Sequence, residues 1–244
     1  MWKSTVVEHH RLREDIAVVR LIGDAVPFTT GQFLTVTVPN APHARRLSPA
    51  LPPSLDGKLE FHVRAVPGGW VSGPIVTDTR PGDVWQLDAP AGGDLHIDDS
   101  GRDVVLVAGG TGLAPLRALI VDLTYQPHPP RVFLFVGGRN PRDLYAGDML
   151  ALLAAELPWL TVIPVVERID NPGWTDDWHE RTRVDIGFTE DDLLLGRLPD
   201  VVAEHGPFRD HQVLVCGSPG MTAVAIERLT AGGTPAGNIR HDPI

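Results

Sequence analysis

The stretch Asp103–Leu123, DVVLVAGGTGLAPLRALIVDL, decides the fold of the second half of this 244-residue chain. Its apolar run 104–107 shows no helical period and stops at the glycine-rich turn 109–112. Apolar residues then return at helical spacing, and Pro115 lies in the first helical turn, where its missing N–H costs nothing. A strand, a glycine turn and a helix N-terminus in this order favour a phosphate-bearing ligand, although many α/β proteins place glycines there only for packing.

Strands and helices alternate from Asp103 to the end of the chain. This alternation predicts a parallel sheet with helices on its faces and a ligand site beyond the carboxyl ends of the strands. The predicted strands are 104–108, 132–137, 160–166 and 212–216, and the predicted helices are 114–124, 143–156, 195–204 and 220–231.

The first hundred residues instead contain short β-prone runs separated by glycine and proline turns. This punctuation is typical of a small antiparallel barrel. The runs are Val6-Val7, 16–22, 33–38, 59–66 and 83–87. The polar composition of segment 98–102 indicates a linker, so we predict two domains, 1–99 and 103–244.

Charge and composition exclude several classes of binding partner and of site. The formal net charge of −10 argues against nucleic acid or an anionic membrane surface, and no apolar run is long enough to span a bilayer. Cys216 is the sole cysteine, which excludes a disulfide or a four-cysteine iron–sulfur site within this sequence. No metal-ligand spacing is visible, and His9-His10 is assigned to an edge or disordered N-terminus. The polar first residues show no secretory signal, so we expect a cytoplasmic protein.

Three further motifs carry candidate chemistry. An arginine pair beside a strand and a Gly-Gly turn ending in serine could both hold a diphosphate, and a small-residue turn follows the strand 212–216. Taken singly, each also fits a surface arginine pair, an ordinary hairpin turn or a structural cysteine. The motifs are Arg45-Arg46-Leu47-Ser48, Gly68-Gly69-Trp70-Val71-Ser72 and Cys216-Gly217-Ser218-Pro219-Gly220-Met221.

In this order and spacing, the motifs resemble those of the ferredoxin–NADP reductase superfamily over almost the whole chain. Gly31-Gln32-Phe33 looks like the family's entry to the flavin barrel, and Arg45-x-Leu47-Ser48 looks like its Arg-x-Tyr-Ser signature. The runs LEFHVRAVPGGWVS and VVLVAGGTGLAPL are most similar to the reductase domains fused to globins in actinobacterial flavohaemoglobin-type proteins.

The resemblance implies a six-stranded antiparallel flavin-binding β-barrel followed by an α/β nucleotide-binding domain. It implies FAD, with NADPH or NADH passing hydride to flavin N5, and an acceptor that takes single electrons, such as a globin haem or an iron–sulfur protein. The implied catalytic residues are Ser48, near flavin N5, and Cys216, at the nicotinamide. Further implied cofactor contacts are Arg45, Arg46, Leu47, His62, Val63, Arg64, Gly68, Gly69, Trp70, Val71, Ser72, Gly110, Thr111, Gly112, Leu113, Ala114, Pro115, Arg139, Gly217, Ser218, Pro219 and Met221.

Several departures from the family pattern keep alternatives open. Leu47 replaces an aromatic that stacks on the flavin, which predicts weak flavin retention. A non-catalytic module or a free flavin or ferric reductase therefore compete with the electron-transfer reductase. Arg139 and Arg142 slightly favour NADPH over NADH. The acidic segment 167–192 is predicted to be either a docking element or a solvated loop.

Overall fold

The computed structural model describes residues 1–39, 41–169 and 187–242. These residues form two compact units, one comprising Met1–His96 and Ala114–Gln126, and the other Ile97–Leu113 and Pro127–Ile244. The domain limits 1–99 and 103–244 stay a prediction. Of the acidic segment 167–192, residues 170–186 lie outside the described residues, and so do its two tryptophans.

The first unit is built on a six-stranded sheet in which each neighbouring pair is antiparallel, in the order β4-β3-β6-β1-β2-β5. This nearly closed barrel confirms the architecture expected from the turn punctuation. Alternating residues on the strands bury an apolar core that includes Trp85, stacked on Phe61. The elements are β1 (Trp2–Arg13), β2 (Ile16–Gly23), β3 (Leu34–Thr37), β4 (Arg45–Leu47), β5 (Lys58–Arg64), α1 (Ser72–Thr77) and β6 (Val84–Leu87).

Two features of this unit were left open or missed by the sequence prediction. His9-His10 lies within β1 and pairs with β2, so this part of the N-terminus is not disordered; the ladder to β6 covers only Trp2–Thr5, so the other side of β1 is an edge at the two histidines. The strand β4 was not predicted, because two arginines in three residues give no apolar alternation; its partner β3 supplies the pairing.

The second unit holds a six-stranded parallel sheet in the order β10-β9-β8-β7-β11-β12. Its central strands are buried on both faces, which explains their continuous apolar runs. Helix α2 is assigned to the first unit from Ala114 onward. The elements from Val104 are β7 (Val104–Gly109), α2 (Leu113–Leu123), β8 (Val132–Gly138), α3 (Gly147–Glu156), β9 (Leu160–Val166), β10 (Leu194–Leu195), α4 (Leu198–Glu204), β11 (Gln212–Cys216), α5 (Pro219–Ala231) and β12 (Ile239–His241).

A charged cluster holds the segment before β7 against the start of β11. The backbone N–H of Asp98 donates to Gln212 Oε1 at 2.7 Å. The carboxylate of Asp98 accepts hydrogen bonds from Arg240 at 2.7 Å and Arg102 at 3.2 Å. These contacts help fix where the parallel sheet begins.

Candidate functional site

Strand β4 separates the two predicted arginine contacts onto opposite faces of the barrel wall. Leu47 is opposite Leu34 in the register, and Arg45 is opposite Val36, so both lie on the face that carries the buried residues of β3. Arg46 lies on the other face, with its guanidinium carbon 5.1 Å from the centroid of the Phe33 ring. A cation–π contact of this kind gives Arg46 a partner within the protein.

The segment after β4 turns inward. Ser48 is half-buried, Pro49 is buried, and Ala50 is fully buried. The backbone N–H of Ala50 donates to the carbonyl of Glu60, on the edge strand β5, at 2.7 Å. The predicted flavin contact Ser48 is thereby held beside β5.

The peptide groups of β5 alternate in direction. Since the Glu60 carbonyl accepts from Ala50 rather than from β2, the peptide groups of His62 and Arg64 also point toward the open edge of the sheet. Those of Val63 point toward β2, its partner in the ladder. That the backbone of His62 and Arg64 lines a ligand stays a prediction, whereas Val63 contributes its side chain to the core.

The turn between β5 and α1 is closed by its own hydrogen bonds. Gly69 N–H donates to the Val66 carbonyl at 2.7 Å, and Val66 N–H donates to Ser72 Oγ at 3.0 Å. Ser72 is buried, so its first role is to shape the turn. A Cβ on Gly69 would lie 2.7 Å from Ser72 Oγ, while Gly68 has a φ of +71° and open space beside it. Trp70 is exposed and leaves its ring available at this turn.

A row of four alternating charges crosses the outer face of the barrel, and the sequence analysis missed it. Glu8, Arg20 and Glu60 lie opposite one another on β1, β2 and β5, and Arg117 from α2 completes the row. Glu60 Oε2 accepts from Arg20 Nε at 2.7 Å, and Glu60 Oε1 accepts from Arg117 Nη1 at 2.9 Å. His62 Nε2 lies 3.0 Å from Glu60 Oε1.

Glu60 is buried, yet it stays ionised. Burial alone would raise its pKa, but the His62 hydrogen bond, the charge of Arg117 and the Arg20 hydrogen bond outweigh burial and lower the pKa to about 2. Burial lowers the pKa of His62, against the pull of Glu60, so its ring is neutral at pH 7 and donates its proton to Glu60 through Nε2. The outward position of both residues was visible in the alternation of KLEFHVR, but their partners were not.

In the second unit, two small-residue turns meet at the carboxyl ends of adjacent strands. Cys216 at the end of β11 is in register with Ala108 of β7. A Cβ built on Gly109 or Gly217 would lie 2.6 or 2.1 Å from the methyl carbon of Met221, which covers both glycines. A Cβ on Gly112 would lie 2.3 Å from the Cys216 carbonyl oxygen. The two backbones approach closely only because these positions are glycine.

These turns differ in how each helix begins. Gly110 has a φ of +55°, and Gly110–Gly112 form a short 3-10 turn before α2. At the other turn, Ser218 is the N-cap of α5 and its Oγ accepts from Met221 N–H at 3.3 Å, with Pro219 as the first helical residue. The N-terminus of the thirteen-residue α5 is therefore regular, and its backbone N–H groups favour an anion.

The other predicted nucleotide contacts fall into two groups. Thr111 is half-buried, whereas the side chains of Leu113, Ala114 and Pro115 are buried and serve packing. Arg139 follows β8 with a side chain that is 70% exposed, and its backbone N–H donates to Asp143 Oδ2 at 3.1 Å.

Cys216 is a free thiol at this crevice. Burial, reinforced by the Asp242 carboxylate, raises its pKa to about 12. The group is therefore a neutral thiol at pH 7 and presents a small, uncharged side chain rather than a thiolate nucleophile.

Two family models match successive parts of the chain. The model described as "Oxidoreductase FAD-binding domain" matches residues 3–94, and the model described as "Oxidoreductase NAD-binding domain" matches residues 106–227. Barrel, parallel sheet and turns together define an FAD- and nicotinamide-nucleotide-binding oxidoreductase. The chain belongs to the ferredoxin–NADP reductase superfamily, as the sequence motifs indicated.

Individual relatives are named as reductase components or reductase subunits. The phenol 2-monooxygenase reductase component of Pseudomonas sp. is 31% identical over 210 residues, which cover 85% of this chain and 55% of the relative. The aromatic O-demethylase reductase subunit of Amycolatopsis sp. is 34% identical over 178 residues, covering 70% of this chain and 53% of the relative. The chain thus spans little more than half the length of these relatives.

Solved structures show the same fold. A cytochrome P450 reductase of Amycolatopsis is 27% identical with a TM-score of 0.81, over 99% of this chain and 68% of that one. The FAD/NAD-binding domain of a nitric oxide dioxygenase from Vibrio cholerae is 19% identical with a TM-score of 0.78, covering 98% and 97% of the two chains, a likeness of fold alone. Over the described ranges of this chain, no helix combines the length and apolarity that a bilayer crossing requires.

Proposed function

We propose that this protein is an FAD-dependent NAD(P)H oxidoreductase that delivers single electrons to a separate acceptor protein or domain carrying haem or an iron–sulfur centre. The observation that carries the proposal is the glycine-lined approach of the turns after β7 and β11, where Gly112 lies directly against the Cys216 carbonyl. The relatives support the acceptor class, because the matched proteins are named as reductase components or reductases of oxygenases.

The described residues of the barrel fit an FAD. Arg45, the half-buried Ser48 and the edge of β5 at His62 and Arg64 offer a cation, a hydroxyl and backbone groups. The open turn at Gly68 adds backbone that a diphosphate can approach, because no atom lies within 4 Å of a Cβ built there. In the second unit, the Ser218-capped N-terminus of α5 suits the phosphates of NAD(P)H.

When bound, FAD supplies the redox chemistry: it accepts a hydride from NAD(P)H and releases electrons one at a time. The chain contributes orientation and electrostatics. Ser48 offers its hydroxyl to the flavin, and Cys216 stays protonated, so it presents a small, uncharged side chain to the nicotinamide. Because NAD(P)H is the electron donor, we also propose that the protein works in the cytoplasm, where that pool is kept.

An anaerobic absorption spectrum tests the reductase. Purified protein receives FAD and then NADPH or NADH. Flavin bands that shift on binding and bleach within seconds of nucleotide addition support hydride transfer. Bands that neither shift nor bleach refute it and favour a non-catalytic module.

Nucleotide preference is tested at Arg139, which we propose contacts the 2′-phosphate of NADPH. Arg139→Ala should lower kcat/KM for NADPH while leaving that for NADH nearly unchanged. Arg131→Ala is the matched control. Arg131 is similarly exposed, at 73%, but it directly precedes the first residue of β8, whereas Arg139 directly follows the last one. An unchanged NADPH/NADH ratio in Arg139→Ala would remove this assignment.

A second candidate is a free flavin reductase, in which the flavin leaves as a product. Leu47 favours it, since this side chain packs against the barrel core and provides no aromatic face for the flavin. Release of flavin on dialysis with retained NAD(P)H turnover of added flavin would select this candidate. Stoichiometric FAD after extended dialysis would reject it.

A further inference from the structure

An arginine whose side chain is only 15% exposed, Arg117, connects helix α2 to the segment that carries Ser48. Its Nη1 donates to the Ala50 carbonyl at 2.7 Å and to Glu60 Oε1 at 2.9 Å. The Ala50 N–H in turn donates to the Glu60 carbonyl at 2.7 Å. The peptide groups on both sides of Ala50 are therefore held by one residue pair, Glu60 and Arg117.

The chain between Ala50 and Ser48 is stiff. Pro49 fixes its own φ and also restricts the backbone of the residue before it, which is Ser48. A displacement of Ala50 is therefore passed on to Ser48 rather than absorbed between them. Ala50 and Pro49 are buried, whereas Ser48 is half-buried. The end of the segment that is held by hydrogen bonds, Ala50, therefore lies inside the protein, and Ser48 lies nearer the surface.

We propose that Arg117 is a positioning residue for the flavin site: it clamps Ala50 onto the edge of β5 and so sets the place of the Ser48 hydroxyl beside the backbone groups of His62. This inference rests on the proposed function for its ligand, while the clamp itself is a property of the protein alone. Arg117 touches neither reacting group; it acts through Glu60 and Ala50.

A matched control exists on the other side of Glu60. Arg20 also donates to this carboxylate, at 2.7 Å, but has no hydrogen bond to Ala50 among those of the described residues. Arg117→Met and Arg20→Met each remove one guanidinium from Glu60 and keep most of the aliphatic stem. Only Arg117→Met breaks the clamp. Arg117→Lys keeps a positive donor at the site and should recover part of the lost function.

The first measurement is amide hydrogen exchange of the FAD-free protein. Residues 49, 52 and 53 are prolines without an N–H, so exchange over 48–53 reports only Ser48, Ala50 and Leu51. Arg117→Met should speed exchange of this segment at least tenfold, and Arg20→Met should leave it within twofold of wild type. Unchanged exchange in Arg117→Met, or an equal increase in both variants, overturns the clamp.

The second measurement is a double-mutant cycle on FAD affinity. Arg117→Met should raise the Kd for FAD at least tenfold, with Arg20→Met within twofold, and Arg117→Lys should lie between them. Ser48→Ala should weaken FAD binding in the wild-type and Arg20→Met backgrounds but have little added effect with Arg117→Met. Full additivity overturns the positioning role. A wild-type chain that binds no FAD refutes the proposed function and the flavin role together, while exchange still decides on the clamp.

Discussion

Replacing Glu60 by glutamine should destabilise the barrel strongly at neutral pH and progressively less as the pH falls below 4.5. The drop in its pKa from the ordinary 4.5 to about 2 corresponds to about 3 kcal/mol of preference for the ionised carboxylate in the folded state. Glu60→Gln removes that charge from between two guanidinium groups and turns one oxygen acceptor into an amide donor that faces other donors. We therefore expect a loss of about 3 kcal/mol in the free energy of unfolding at pH 7.

The sign of the pH dependence follows from the lowered pKa. Stability contributed by Glu60 is fully present above the unfolded pKa near 4.5 and is lost as the pH falls toward 2. The gap between wild type and Glu60→Gln should thus shrink by about 1 kcal/mol between pH 7 and pH 3.5. Urea unfolding followed by tryptophan fluorescence measures it, with the buried Trp85 as a reporter in the barrel core.

Glu8→Gln is the matched control for this measurement. Glu8 accepts from the same Arg20 at 2.7 Å, but its side chain is 48% exposed, so we expect a cost below about 1 kcal/mol. The reasoning is refuted if Glu60→Gln costs no more than Glu8→Gln, or if the gap between wild type and Glu60→Gln stays constant as the pH falls.

Three further predictions, one of them with a comparison variant, test other parts of the structure. Gly112→Ala forces a Cβ to within 2.3 Å of the Cys216 carbonyl oxygen, so it should cost about 3 kcal/mol in urea unfolding and weaken NADPH binding in a fluorescence titration. Gly220→Ala, on a helix position with open space, should instead be neutral or gain up to about 1 kcal/mol, and equal effects would contradict the argument. Leu47→Tyr restores an aromatic and should tighten FAD binding by about fivefold in a fluorescence titration, whereas an unchanged Kd would mean that residue 47 does not face the ring. Asp98→Asn loses the charge that Ser100 and Arg240 contact, and thermal unfolding at pH 7 should show a loss of about 1 kcal/mol that shrinks as the pH falls below 3.8, because the Ser100 hydrogen bond and then the Arg240 contact lower the Asp98 pKa.

Sequence patterns identified the strands and helices whose conformation is set by the spacing of their own apolar residues. Strands β9 and β11 were predicted to the residue. The central strand β11 is buried over Gln212–Val215, and such parallel strands read as continuous apolar runs. The helix expected at 143–156 begins instead at Gly147, since Pro141–Asp143 form a separate 3-10 turn. The short strand β12 was missed, because its three residues owe their conformation to pairing with β11 rather than to any pattern of their own.

In the candidate site too, the features set by local sequence could be predicted, and those set by distant partners could not. The glycine turns could be recognised from the sequence, since glycine is the residue that best suits a positive φ or a close backbone approach. The role of Glu60 could not be predicted, because its arginine partners lie 40 and 57 positions away and its burial depends on both. The sequence also could not separate Arg45 from Arg46, whose different roles depend on the register of a strand only three residues long.

Helix α2 follows the glycine turn in sequence, yet from Ala114 onward it belongs to the barrel unit. The barrel unit is therefore built from two separate segments of the chain, Met1–His96 and Ala114–Gln126. A chimaera joined at 98–102, the linker predicted from the sequence, would take Glu60 from one parent and Arg117 from the other, and the buried carboxylate would then depend on a helix from a different protein. Exchange of modules between such reductases should succeed only where both parents carry this pair, or where the junction lies beyond Gln126.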